Sequence, residues 1–200
     1  MSEAVAEAPK ESRWNRGRVG MACLIFGESM FFSIFVVAYL FYIGKSSHGP
    51  QPAEVLEFPY LATACLLSSS LTAGYAVHCL GAFQYLRSGL ALAVTIALGG
   101  GFIALTAIEW HGLIYDHGLT LGTNLFGTTF YSLVGFHAAH VIVGLFMLTL
   151  IFVLLLLRHV KAEHEERFEL VTWYWHFVDV VWLFLFISVY VWGGWGAEVH

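Results

Sequence analysis

The sequence predicts an all-α membrane protein: a polytopic bundle of five transmembrane helices with the N-terminus cytoplasmic and the C-terminus outside. Three observations carry this. First, five long apolar runs, roughly 19–43, 58–86, 88–108, 125–157 and 170–197, occupy most of the 200 residues. Each is long enough to cross a hydrocarbon core of about 30 Å at about 1.5 Å per residue, and lipid offers no partner to an exposed amide, so each run should be a helix. Second, a composition of 58% hydrophobic and 12% charged residues, with mean hydropathy +0.74, lies outside the soluble balance and leaves no room for a separate soluble domain. Third, Lys45 alone stands on one side of the runs, against the other eight of the nine lysines and arginines. That asymmetry puts the N-terminal side in the cytoplasm.

The elements follow in order. Residues 1–17 form a polar, basic tail, loosely ordered over 1–12, ahead of one membrane domain at 18–197. The first run is longer than a signal-peptide core and no small-residue cleavage site follows it, so it should be retained. Lys45–Glu57, with Gly49, Pro50 and Pro52, reads as an outside loop closed by Pro59. Tyr85–Ser88 reads as a tight inside turn that makes spans two and three an antiparallel pair. Glu109–Asn124 reads as a longer outside loop. Arg158–Glu169, with alternating charges, should extend span four as a solvated helix. Gly74, Gly81, Gly99, Gly100, Gly101, Gly135 and Gly144 should form packing seams, and the glycine run at 99–101 is a place for a bend. Cys23, Cys65 and Cys79 are unpaired in spacing and read as small apolar side chains.

Only two charged groups, Glu28 and Asp179, lie inside the runs. Glu28 is ten residues beyond Arg18, about 15 Å along a helix and near the midplane. A carboxyl group there is costly and often marks function. One reading is a neutral Glu satisfying a helix contact; the other is a group that titrates as protons move. His137 and His140 share a face of span four at the same depth, so either is a candidate partner for Glu28. His176 and Asp179 repeat the spacing on span five, where one can donate to the other, and Trp182 lies on the same stripe as a possible donor to Asp179. Trp173, Trp175, Trp192 and Trp195 near the ends of span five, with Trp182 and Arg167, read as interfacial or lipid anchors. His78, His137, His140 and His176 are numerous enough for bis-histidine haem ligation, although a three-residue spacing on one helix is a weak signal. There is no nucleotide loop, nucleophile elbow or Cys-x-x-Cys, and nothing suggests nucleic acid.

Several strings nevertheless form a longer pattern: Gly27-Glu28-Ser29-Met30-Phe31-Phe32, Ile108-Glu109-Trp110, Gly127-Thr128-Thr129-Phe130 leading to Gly135 through Gly144, and Trp173-Tyr174-Trp175-His176-Phe177-Val178-Asp179-Val180-Val181-Trp182-Leu183-Phe184. Over nearly all of 18–194 the chain resembles subunit III of the haem–copper respiratory oxidases, the cytochrome c and quinol oxidase family, in a five-helix form that lacks the first two of seven helices. The resemblance implies a non-redox subunit of the cell's inner (plasma) membrane. It would have no catalytic residue, metal or cofactor of its own, with haem and copper held by partner subunits I and II. It implies packing on the catalytic subunit I, retained phospholipid, and support of proton uptake and turnover stability. It implies that Glu28 is the family's buried, carbodiimide-reactive glutamate, and that Glu109, His137, His140, His176 and Asp179 are its polar membrane positions. An accessory protein of a nitric oxide reductase, a stand-alone proton-coupled transporter and a di-haem electron carrier are the alternatives; the inverted repeats usual in transporters are missing.

Overall fold

The computed structural model describes residues 16–46, 48–159 and 165–193. Its helices are α1 (Arg16–Tyr42), a short α2 (Pro52–Val55), α3 (Tyr60–Gly81), α4 (Tyr85–Tyr115), α5 (Leu125–Leu156) and α6 (Glu165–Leu185), which continues as a π-helix over Phe186–Val191. No strand occurs among the described residues. Five of the helices, counting α6 with its π extension, are long and apolar enough to span a membrane. The expected tail at 1–12 and Trp195 lie outside the described residues.

In lipid, helices gain little from apolar burial alone, so a bundle is held by close packing and by polar contacts between helices. Both are visible. α3 and α4 form the tightest antiparallel pair, α6 packs on α1, α3 and α5, and α5 bridges α1 and α4. Helix α6 is the most enclosed and α1 the least. Phe26, Met30, Ile34, Val37 and Phe41 form an exposed apolar stripe along α1 that acyl chains or a neighbouring helix must cover.

The glycine seams have a specific occupant. A Cβ on Gly99 of α4 would stand 2.8 Å from Trp175 Cη2, and one on Gly144 of α5 would stand 2.7 Å from Trp175 Cε3. The two glycines thus form the walls of a slot for one indole. Gly135 faces Trp110 in the same manner, whereas Gly100 and Gly101 have nothing within 4 Å and are not seams. Helix α4 runs uninterrupted through the glycine run.

Four boundaries differ from the sequence reading. The inside turn lies at Ala82–Gln84, with Phe83 at φ 59°, because α4 already starts at Tyr85. Helix α4 runs on to Tyr115, so Glu109, Trp110 and His111 are helical; no breaker intervenes before Gly118, at φ 64°. Helix α5 stops at Leu156 and does not extend as a solvated helix, because Arg158 turns the chain at φ 58°. Glu165–Glu169 belong to α6, where Glu165 and Glu166 suit the positive end of the helix dipole.

The two ends are tied by polar contacts. At one, Arg18 Nη2 donates to Glu169 Oε2 at 2.9 Å and Arg18 Nε lies 3.5 Å from Glu166 Oε1, joining the starts of α1 and α6. At the other, Asn124 caps α5 by accepting from Gly127 N at 2.8 Å, while its Nδ2 donates to the carbonyls of His48 and Pro50. One side chain thereby starts α5 and pins the loop that leaves α1.

Candidate functional site

The apolar length of α1 and α5 brings their midpoints side by side, and the two polar side chains there meet. Glu28 Oε2 lies 3.3 Å from His140 Nε2, one of the two pairings expected. The other imidazole nitrogen is engaged too: Nδ1 is 2.8 Å from the Phe136 carbonyl oxygen, one helical turn back. Tyr174 of α6 donates its hydroxyl to the His140 carbonyl at 3.3 Å. Phe136 and Phe32 wall the imidazole, with ring centroids 4.5 and 5.0 Å away, and restrict its contact with water. Glu28 remains 30% exposed on the α1 surface, so the pair sits at the edge of the bundle and not in its core.

His137, one turn before His140, does not reach Glu28. It is fully buried, with both ring nitrogens lacking hydrogen-bond partners. It stacks on Trp182 at 5.2 Å and meets Phe102 edge-on at 5.9 Å. Its environment is an aromatic box, which fits a neutral imidazole used for packing.

A second polar seam runs between α3 and α6. Ser70 Oγ hydrogen-bonds His176 Nδ1, Trp175 Nε1 donates to Ser69 Oγ at 3.0 Å, and Trp182 Nε1 donates to Thr63 Oγ1 at 3.1 Å. Two sequence expectations fail here. Asp179 bonds neither His176 nor Trp182, since α3 supplies hydroxyls that pair with both. Ser70 is the polar neighbour of Asp179, yet neither carboxyl oxygen completes a hydrogen bond, although the residue is buried. Leaving a charged carboxylate so placed is costly, and the neutral acid is the form compatible with that burial. Thr63, Ser69 and Ser70 are the residues that sequence reasoning missed; the signal was a run of hydroxyls recurring along an otherwise apolar span.

Glu109, in α4, accepts a hydrogen bond from Tyr190 Oη at 2.9 Å; Tyr190 sits in the π-helical segment. This carboxyl belongs to a cavity of about 430 Å³ between the start of α3 and the end of α4, which Glu57, Asp116 and His117 also line. It is far along the chain from Glu28 and makes no contact with that pair.

The aromatic anchors separate into different roles. Trp175 and Trp182 are buried and bonded to α3, so they are core residues and not interfacial anchors. Trp173 faces a largely apolar groove between α1 and α6, of about 680 Å³, that Ser29, Phe32, His176 and Phe177 share. Trp192 and Arg167 are exposed at opposite ends of the last span. Cys23, Cys65 and Cys79 are free thiols.

Could the histidines hold haem iron? The imidazole of His140 is engaged at both nitrogens, that of His176 is bonded to Ser70, and the His137 ring is faced by Trp182 and Phe102. Among the described residues no three His, Cys, Asp or Glu side chains converge as a metal site. Of the four candidate histidines, His137, His140 and His176 are thus committed to packing or hydrogen bonds.

The family model for cytochrome c oxidase subunit III matches residues 11–194. The chain belongs to the cytochrome c oxidase subunit III family. The cytochrome c oxidase subunit 3 of Scyliorhinus canicula is 39% identical over 187 residues, covering 88% of this chain and 69% of that protein. That of Homo sapiens is 38% identical with the same coverage, and that of Lemur catta 37% identical over 193 residues, 91% of this chain and 68% of the relative. This chain is thus a multi-pass integral membrane subunit of a haem–copper oxidase complex, and it works together with other oxidase subunits.

Proposed function

We propose that this family member serves as the non-redox subunit III of its oxidase: it packs on the catalytic subunit I beside subunit II, retains phospholipid, and sustains proton uptake and turnover stability. Haem and copper, in this reading, reside in those partners. The observation that carries it is the Glu28–His140 pair: a carboxyl and an imidazole satisfied by each other at mid-span, at the edge of the bundle where a lipid or neighbouring helix meets it. A purely structural contact would be expected to lie in the core, as His137 does. The α1–α6 groove, with its apolar walls and Trp173 at its margin, supports a place for an acyl chain. The uneven distribution of lysine and arginine supports an N-terminus in the cytoplasm of a cell whose inner (plasma) membrane holds the complex. Within the described residues, the helices from Arg16 onward form one membrane domain.

The test is Glu28→Gln in the purified oxidase. Assembly should be preserved, while sustained turnover or carbodiimide labelling changes. If the variant matched wild type in both respects over prolonged turnover, the functional reading of Glu28 would fail.

A further inference from the structure

The groove between α1 and α6 is apolar almost throughout, and its free polarity is gathered at one end. Ser29 donates to the Ile25 carbonyl at 2.7 Å and Ser33 to the Met30 carbonyl at 2.6 Å, so both lining hydroxyls are spent on their own helix. His176 differs. Ser70 takes its Nδ1, but Nε2 bonds no described residue, and the imidazole is only half-buried, unlike the sealed ring of His137. Gly74 of α3 keeps it open, because a Cβ there would stand 4.0 Å from Nε2 and begin a side chain over the nitrogen. Trp173, three residues earlier on the same face of α6, likewise carries an indole N–H that bonds no described residue. From this geometry we propose that the α1–α6 groove binds an isoprenoid quinone, its ring held at His176 and Trp173 and its tail laid along the groove toward Phe184.

Resting on the reading that this groove retains lipid, the inference names the lipid. His176 lies seven residues beyond Glu169, about 10 Å below the Arg18–Glu169 ion pair at the charged end of the bundle. No lysine or arginine lines the groove, so an ionic headgroup drawn down to His176 would lose water and gain no counter-charge. The head must be uncharged and must offer hydrogen-bonding oxygens. Ser70 can donate to Nδ1 or accept from it. In the first case Nε2 carries the ring proton and donates to a carbonyl; in the second it accepts from a hydroxyl. Carbonyl and hydroxyl are the two forms of a quinone ring oxygen, and the ring has further oxygens for Trp173 Nε1. Phe32 and Phe177, both buried with their centroids 6.5 Å apart, lie beneath this end and suit a flat ring, which a diacylglycerol lacks. Beyond them the groove follows α6 from Trp173 to Leu185, about 18 Å, with only apolar contacts for a tail. Its volume of about 680 Å³ is that of a small-molecule site. Binding of the ring involves no bond-making and no electron transfer.

The experiment uses the intact oxidase in lipid nanodiscs and a decyl-tailed benzoquinone with a diazirine on its tail. After illumination, peptides of this chain should be labelled within 25–37 and 173–185. Excess unlabelled decylbenzoquinone should compete, whereas dioctanoylglycerol and phosphatidylethanolamine should not. Val180→Trp, at a half-exposed position on the groove wall, should abolish the labelling without disturbing the bundle. His176→Phe keeps a flat ring and removes the hydrogen bond, so half-maximal labelling should need about tenfold more probe. Labelling absent or confined to other parts of the chain, equal competition by either lipid, indifference to Val180→Trp, or an unchanged affinity in His176→Phe would overturn the inference. Phospholipid carried by the complex, counted by mass spectrometry, separates this failure from that of the underlying reading. If the probe fails yet Val180→Trp costs the complex a phospholipid, only the quinone falls; if Val180→Trp changes neither, the groove as a lipid site falls with it.

Discussion

The slot around Trp175 offers a quantitative test of how this bundle is held together. Replacing Gly144 with Ala places a methyl group 2.7 Å from indole Cε3 and 2.9 Å from Cζ3, where carbon atoms prefer about 3.5–4.0 Å. The ring must retreat by nearly 1 Å. It has nowhere to go, because on its other edge Cη2 already fills the space that a Cβ on Gly99 would need, and Nε1 is tethered to Ser69. Overpacking of this kind costs about 1–3 kcal/mol, the larger end of which is more than a tenfold shift in the folding equilibrium. Trp175→Phe should cost a comparable amount by losing the indole donor and leaving a void. The two changes should not add. The smaller ring vacates room for the new methyl, so the double variant should recover about 1–2 kcal/mol relative to the sum, within the usual range for residues in contact. Equilibrium unfolding in mixed micelles, followed by intrinsic fluorescence from the other tryptophans or by retention of the assembled complex, measures each term. A Gly144→Ala variant within about 0.5 kcal/mol of wild type, or strict additivity in the double variant, would refute the slot as the packing device.

Other expectations are smaller. Arg18→Gln should cost only about 0.2–1 kcal/mol, because the ion pairs are part-exposed, and the loss should shrink further at high salt; a salt-independent effect on the unfolding midpoint would point to packing instead. Asn124→Ala should destabilise by about 1 kcal/mol through the lost cap and should raise amide exchange both at Gly127 and around His48–Pro50, since one side chain serves both. Tyr190→Phe should leave Glu109 without its donor at a cost of about 1–3 kcal/mol, and an unchanged melting profile would show that water replaces the hydroxyl.

Much of the fold was legible because the bilayer imposes a length and forbids unpaired backbone, so the apolar runs at 19–43 and 125–157 mark α1 and α5 to within a few residues. Boundaries that hydropathy does not encode were missed. Helix α4 carries Glu109 and His111 past the end of its apolar run, because polarity does not stop a helix whereas a positive φ at Gly118 does. The Glu28–His140 pairing was narrowed to two histidines by depth alone; the choice between them depends on which flank of α5 faces α1, and that is a packing outcome. Asp179 shows the opposite failure. Residues one turn apart on α6 invite a local hydrogen bond, but the hydroxyls of Ser69, Ser70 and Thr63 arrive from a distant helix and pair with those side chains first. Tryptophans near the ends of an apolar run resemble interfacial anchors until a facing pair of glycines shows that one of them, Trp175, is the core.

Affinity purification of the chain in mild detergent, with the optical spectrum recorded before and after the subunits are separated, tests the central claim most directly. The chain should arrive bound to a haem-bearing catalytic subunit, and after separation the haem band should stay wholly with that partner. A haem band that follows this chain, or recovery of the chain as a lone, unaccompanied protein, would contradict the account.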